Sequence, residues 1–396
     1  MNRITIYVLA LGVFLTATSE LVVSGILNYI AEDLHISLAL AGQLITAYSL
    51  AFAVATPIIV SLTSRMGRRK LLIGSLIFFL LGSLISFMST NIYTLLLSRV
   101  ILGVSSGVYL VTAFGAAAKL VPAEKLGSAI ATIVLGFSSA MILGVPFGIA
   151  VTNWLHWQAI FVLLGLFGLL VLFALFRLLP EIAGDQPVSF RQQWKVLGSI
   201  AITSGLFLTF FRESGNSVLF TFLTPFMQDV LHINASKISL IMLVFGIFGA
   251  IGSRLGGYGV DRWGAARIIT VSLFVHTAAL ALLPLFSNTA FIGFIAIAFI
   301  VLSMFAAGPA IQSYFIQQAP QSSNLVLSLN TSIIHLGLAA GAGAGGFMVN
   351  TASTLRYHPW LAAAILLFGI AAGMISFRQE KSAAAGLPSR RYENSA

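Results

Sequence analysis

The stretch SRMGRRK (Ser64–Lys70) returns 197 residues later as DRWGAAR (Asp261–Arg267), with Ser64 against Asp261 and Gly67 against Gly264. Each copy ends one long apolar run and opens the next. A second echo, EDLHISLALAGQL (Glu32–Leu44) and QDVLHINASKISL (Gln228–Leu240), sets Asp33 against Asp229 at a spacing of 196. Apolar helices resemble one another by chance, whereas polar loops repeating at one period are far harder to obtain that way. The chain therefore reads as one plan written twice, divided at its longest polar interval, PEIAGDQPVSFRQQ (Pro180–Gln193).

Composition says where the plan is built. Of 396 residues, 58% are hydrophobic and 8% charged, and the mean hydropathy is +1.00. A soluble domain carries about a quarter charged residues. A chain this poor in charge cannot cover a water-facing surface, so it is an integral membrane protein. Membrane barrels alternate apolar and polar residues in short segments, but here the apolar runs are continuous, so the spans are helices. Twelve are predicted, over residues 4–31, 38–64, 70–89, 92–118, 125–152, 159–177, 198–229, 237–258, 267–286, 289–317, 324–350 and 359–377. The expected fold is an all-α membrane protein of twelve transmembrane helices in two pseudo-symmetric six-helix bundles. Residues 1–179 form the first bundle, 180–196 a cytoplasmic linker, 197–378 the second bundle and 379–396 a cytoplasmic tail. The opening MNRITIYVLALGVFL (Met1–Leu15) is read as a retained first span, because no small-residue cleavage site follows it.

The net charge of +10 could suggest a nucleic-acid partner. Its placement argues for topology instead. With both termini on one side, all of the 21 basic residues except Lys237, Arg356, Arg99 and Arg212 fall on that side. The positive-inside rule makes that side cytoplasmic. This predicts a multi-pass protein of the bacterial inner membrane, with the lipid bilayer as its surroundings, no nucleic-acid partner and a monomeric state. Cysteine is absent, which removes disulfide and thiol chemistry.

Six-plus-six helical repeats are a plan of secondary transporters, whose sites lie near the bilayer midplane between repeats. The loop SLTSRMGRRKLL (Ser61–Leu72) resembles the signature of the major facilitator transporters, a Gly-x-Leu-Ala-Asp-Arg-x-Gly-Arg-Lys pattern. Arg65, Gly67, Arg68 and Arg69 match it, while Val60 and Ser64 stand where Gly and Asp are usual. The second copy, GYGVDRWG, keeps Gly257, Asp261, Arg262 and Gly264 but replaces the basic pair with Ala265 and Ala266. SRVILGVSSG (Ser98–Gly107) is similar to the family's span 4 motif, and GFSSAMILGVPFG (Gly136–Gly148) to the span 5 motif of its antiporters. The resemblance covers essentially the whole chain and extends to the drug and metabolite proton-antiporter branch. Within it, Thr18–Leu21, FSSAMILGVPFGI (Phe137–Ile149) and IQSYFIQQAPQSSNLVLSLNTS (Ile311–Ser332) resemble sugar-efflux and purine-efflux members.

What the resemblance implies is proton-coupled antiport, exporting a small organic solute by alternating access. It also implies gating roles for Arg65, Gly67, Arg68, Arg69, Asp261, Arg262 and Arg267, and for Gly144, Pro146 and Gly148 in span 5. Glycines at four-residue spacing (Gly103 and Gly107; Gly144 and Gly148; Gly337, Gly341 and Gly345) read first as helix-packing faces. Such faces also suit rocking of the halves. Ser64 cannot form the ion pair of the usual Asp, which leaves Asp261 the stronger gating candidate.

The charges inside the spans are the candidates for chemistry. Glu20 stands 12 residues before Glu32, hence about 18 Å below the far surface, near mid-bilayer. Arg99 lies about 12 Å from that surface, and Arg212 with Glu213 about 24 Å from it. An ionisable group at the helix centre costs about 2.5–3.5 kcal/mol, so it faces a cavity or a partner. Desolvation raises a carboxylate's pKa and a nearby guanidinium lowers it, so a moving partner can switch a proton on and off. Proton coupling is accordingly assigned to Glu20, Glu213, Arg99 and His335. An ion pair that merely locks helices is the bland alternative, as a packed histidine is for His335. Substrate contacts are assigned to Arg212, Glu213, Asn216, Gln43, Tyr48, Gln312, Tyr314, Asn330 and His335, with Phe210, Phe211, Phe220 and Phe222 as candidate walls. So few charges favour a neutral or weakly charged solute.

Rival classes lack their residues. A primary pump needs a phosphate-cradling loop, and the chain has no Gly-Lys-Ser/Thr. An enzyme needs clustered ligands or nucleophiles, and His35, His156, His232, His276, His335 and His358 are scattered, so neither catalytic residues, a metal nor a cofactor is predicted. Proton-coupled uptake by the same fold is the nearer rival, and a non-transporting membrane sensor the remoter one.

Overall fold

A computed structural model describes residues 3–63, 65–122, 126–184, 197–286, 289–319, 323–352 and 354–385. Ser64 and most of the interval between the halves lie outside the described residues. The chain is helical throughout its apolar runs, and the twelve spans end within a few residues of where apolarity does. In the first half they are Arg3–Gly25 continued by Leu27–Asp33, then Leu38–Leu62, Arg68–Met88, Ile92–Leu120, Leu126–Ser139 continued to Trp154, and Ala159–Leu178. In the second half they are Ile200–Phe220 continued by Leu223–Asp229, then Ala235–Trp263, Ala265–Leu282 continued to Leu285, Ala290–Gln318, Ser323–Ala352 and His358–Ala385. Among the described residues, 11 helices are long and apolar enough by themselves to cross a membrane. The twelfth, span 7, carries Arg212, Glu213 and Asn216 near its middle, which dilutes its apolarity.

The repeat holds at the level of single backbone angles. Span 1 breaks at Ile26 (φ −113°, ψ 17°) and span 7 at Phe222 (φ −110°, ψ 20°). Each break is followed by a left-handed histidine, His35 at φ 51° and His232 at φ 54°. The next span then starts on a capping side chain, Ser37 accepting from Leu40 N and Asn234 accepting from Ser236 N. The breaks are 196 apart and the histidines 197. Val230 is the extra residue, which accounts for the two spacings seen in the sequence. In the second copy Pro225 has no amide hydrogen to give to Thr221, which favours the break just before it.

The halves meet along two seams. Span 2 lies along span 11, and span 5 crosses span 8. Span 5 opens into a π-helical turn at Ala140–Gly144 before Pro146. Gly144 and Gly148 press on Thr18 and Val22 of span 1, inside the first half, while the Pro146 carbonyl accepts from Ser239 Oγ of the second half at 2.8 Å. Gly246 brings span 8 so close that a Cβ there would stand 2.7 Å from Ile142 Cα. Gly337, Gly341 and Gly345 all face span 7. The glycine faces thus serve packing, and within span 5 the proline side is the one turned to the other half.

At the end carrying the termini, the first basic loop closes on its own half. Arg69 Nη1 lies 3.3 Å from Glu181 Oε1, and Arg69 Nη2 donates to the Phe176 carbonyl. Arg68 is buried against Gly115, and its amide donates to Ile182 O at 2.9 Å. Lys119 donates to the carbonyls of Ala183 (2.8 Å) and Gly184 (3.2 Å). These bonds pin the first residues of the interhalf connection. The Arg69–Glu181 pair itself adds little, because exposed ion pairs are worth under about 1 kcal/mol. In the second copy, Gly264 takes φ 83°, a left-handed angle that favours glycine, whereas Gly67 sits at φ −58°. Arg65, Asp261, Arg262 and Arg267 are all exposed. Among the described residues Asp261 makes no ion pair with Arg262 or Arg267.

Candidate functional site

Glu20 projects from the middle of span 1 and is buried, at 9% exposure. Its Oε1 lies 3.5 Å from Nδ1 of His335, on span 11 of the other half. The His335 ring stacks on Phe52 of span 2, with centroids 3.5 Å apart and planes at 21°. A carboxylate and an imidazole from opposite halves thus face each other across the seam at mid-depth.

Arg99 is fully buried beside this contact but does not pair with the carboxylate. Its Nη1 donates to the Ser19 carbonyl at 2.8 Å, its Nε to Leu44 O at 3.4 Å, and its guanidinium lies 4.5 Å over the Tyr48 ring. Tyr48 is itself sealed, its hydroxyl 3.5 Å from Thr16 O. Arg99 thus stands near enough to act on Glu20 through its charge, as the sequence suggests, but makes no ion pair with it in this conformation. Arg99 fastens the backbone on which Glu20 stands, and among the described residues no arginine or lysine lies within 4 Å of the Glu20 carboxylate.

Glu213 has the opposite surroundings. One carboxylate oxygen is bound by the neighbouring Arg212, and the other accepts from Asn216 Nδ2 at 3.1 Å. Arg212 Nη2 donates to the Met304 carbonyl of span 10 at 2.6 Å. Gly337, two residues on from His335 and turned to another side of span 11, would carry a Cβ 2.8 Å from Glu213 Cβ. One helix, span 11, therefore touches both acid sites: His335 at Glu20 and Gly337 at Glu213.

The remaining candidates divide. Asn216 and Asn330 are buried with their Oδ1 atoms unpartnered, and so are free acceptors. Gln43 lies at the seam near Gly346, 3.3 Å from where its Cβ would be, and Gln312 is exposed on span 10. Tyr314 is buried in the second half, its hydroxyl 2.7 Å from Ser376 Oγ and its ring edge-on to Phe377. That places it in the packing of span 10 on span 12. Phe222 is buried between Gly42 and Gly345, where it closes the seam.

Sequence reasoning missed three participants. Phe52 carries the His335 ring, and its signal was its place one turn beyond Tyr48 on span 2. Asn28 and Gln228 hydrogen-bond to each other and join the tips of spans 1 and 7 across the halves, at the end opposite the termini. Their signal was a polar amide in each tip just beyond the helix break. With Thr46 Oγ1 to Ala339 O (3.5 Å), these contacts run from the level of Phe52 to the end opposite the termini. Among the described residues no hydrogen bond or ring contact between the halves lies nearer the termini.

A family description, Major Facilitator Superfamily, matches residues 9–324 and 206–394. An "Uncharacterized MFS-type transporter YbcL" of Bacillus subtilis (strain 168) is 37% identical over 382 residues, which cover 96% of this chain and 97% of the relative. Among solved structures, a D-xylose-proton symporter superposes with a TM-score of 0.80 at 16% identity, covering 96% of this chain and 98% of its own. A bacterial homologue of the human lysosomal transporter Spinster, in an inward-facing and unoccupied conformation, gives 0.75 at 16%, covering 96% and 97%. At such identity the last two show the fold alone.

Proposed function

This chain belongs to the major facilitator superfamily, and from that premise we propose that it is a proton-coupled antiporter which exports a small, neutral or weakly charged organic solute. The reading places it in the drug and metabolite antiporter branch, as a monomer of the bacterial inner membrane with both termini cytoplasmic. Solutes resembling purines, nucleosides or sugars, or lipophilic drugs, are the classes in view. The single observation that carries the coupling is the Glu20–His335 contact. Glu213 is paired with Arg212 and Asn216, whereas among the described residues the ionisable side chain within 4 Å of the Glu20 carboxylate is His335, and that ring belongs to the other half. Gain or loss of one proton there changes an interaction between the halves. This is the differential contact that a switch between two states requires. The Gly-x-Pro element supports antiport, since Pro146 lies on the seam. Asn216 and Asn330 supply acceptors for an uncharged solute.

Among the described residues the contacts between the halves run outward from mid-depth, which fits a conformation closed on the outer side. Asn28 with Gln228 would then be an outer fastening. A single hydrogen bond contributes about 1 kcal/mol, or roughly a fivefold change in population. Gln228→Ala is expected to raise the rate at which an impermeant maleimide labels a Thr46→Cys reporter by about that factor; the chain has no cysteine of its own. An unchanged rate would mean that the pair does not hold the outer side shut.

The function itself is tested in liposomes holding purified protein and an internal pH dye. Purines, nucleosides, pentoses and lipophilic cations are offered in turn. At least one is expected to move protons opposite to its own flow. Protons moving with the solute would make the chain a symporter, and solute flow indifferent to the pH gradient would remove proton coupling altogether.

A further inference from the structure

The two copies of the repeated loop use their arginines differently. Around the first copy Arg69 and Lys119 close on the chain itself, through Glu181 and the carbonyls of Phe176, Ala183 and Gly184, and the Arg68 amide donates to Ile182 O. Among the described residues the second copy has no such clasp. Among the described residues Arg262 Nη1 donates to the Tyr258 hydroxyl alone, at 3.0 Å, and its guanidinium stands 5.7 Å over the ring of Trp263. Arg267 makes no hydrogen bond or ion pair among the described residues. Between them Trp263, Arg267, Ile268 and Val271 line an open cleft of about 300 Å³ at the membrane end of spans 8 and 9. Trp263 is 51% exposed and Val271 54%. Asp261, the acid nearest along the chain, is exposed and lies within 4 Å of neither arginine.

The chemistry of this cleft is that of an interface. Arg267 lines its mouth and Arg262 stands over the ring of Trp263, which lines the cleft too; guanidinium groups bind phosphate oxygens through paired donors. Its floor is apolar and runs up span 9 towards the hydrocarbon, with an indole at the level where aromatic rings settle in membranes. A soluble anion would leave the floor wet, whereas a lipid covers both parts. We propose that Arg262, Trp263 and Arg267 form a binding site for the headgroup phosphate of an anionic phospholipid, with an acyl chain along Ile268 and Val271. The bound lipid fills in the second half the role that the clasp on Glu181–Gly184 fills in the first.

The full chain is reconstituted in phosphatidylcholine containing, at equal mole fraction, brominated phosphatidylglycerol or brominated phosphatidylcholine. Trp263 is one of five tryptophans, so its share of the quenching is the part lost in Trp263→Phe. Brominated phosphatidylglycerol is expected to quench that share more strongly. Each basic residue near an anionic surface contributes about fivefold in affinity. Arg262→Gln with Arg267→Gln is therefore expected to abolish the preference, and the corresponding double lysine variant to retain most of it. Equal quenching by the two lipids in the unaltered protein overturns the proposal. So does a preference that survives the glutamines, or one lost as fully with lysines, which would mark a change of fold. If inorganic phosphate displaces the preference at millimolar level, the site takes the free anion and the lipid assignment is overturned.

Discussion

Glu20→Gln is expected to abolish uphill, proton-driven transport while leaving the protein folded and more heat-stable. The two effects separate a coupling residue from a structural one. A buried carboxylate in a span costs about 2.5–3.5 kcal/mol, and among the described residues no arginine or lysine forms an ion pair with it, His335 Nδ1 at 3.5 Å being the charged-capable neighbour. Glutamine keeps the shape and the hydrogen-bonding capacity but carries no charge in either state, so part of that cost, about 1 kcal/mol, returns as stability. Without a titratable oxygen, the contact with His335 no longer distinguishes loaded from empty, and the pH gradient has nothing to act on. Solute exchange at equilibrium, which needs movement but not coupling, is expected to survive. If Glu20 instead locked spans 1 and 11 together as half of a buried pair, its removal would destabilise the protein by about 3–5 kcal/mol. A drop in melting temperature of that size, or continued accumulation under a pH gradient, would overturn the assignment.

What could be read in advance follows from the range of the forces involved. Span positions were legible because continuous apolarity is a one-dimensional property, and the repeat because its loops share polar residues at one period. Arg99 and Tyr48 could be picked out as buried polar groups. Which atoms they meet depends on how two helices turn towards each other. Arg99 reaches two backbone carbonyls, Ser19 and Leu44, and carbonyls leave no mark in a sequence. For the same reason Tyr314 reads as a cavity residue in the sequence, whereas its hydroxyl meets Ser376, 62 positions away. The Glu20–His335 contact joins residues 315 apart and depends on how the halves are set against each other. Both were recognisable as titratable; nothing local paired them.

Gly103→Ala is expected to cost about 2 kcal/mol of stability, and Gly74→Ala none. Both glycines lie inside helices, where alanine is intrinsically better by up to about 1 kcal/mol. Their surroundings decide the outcome. A Cβ at Gly74 would have nothing within 4 Å, so the intrinsic gain stands alone. At Gly103 it would overlap the Tyr48 carbonyl oxygen and lie 3.0 Å from the Tyr48 carbon and 3.2 Å from its Cα. All three are backbone atoms of span 2, so no side chain can swing aside, and the two helices have to part. Lipid supplies no hydrophobic drive to press them together again, because close packing is itself the attraction. Separation there also lifts Tyr48 from beneath Arg99 and loosens the backbone at Ser19, next to Glu20. Gly103→Ala is therefore expected to lower transport as well as the melting temperature in one detergent, whereas Gly74→Ala changes neither downward. A Gly103→Ala protein as stable as its parent would show that spans 2 and 4 do not approach to backbone contact, and that Arg99 steadies Glu20 by some other route.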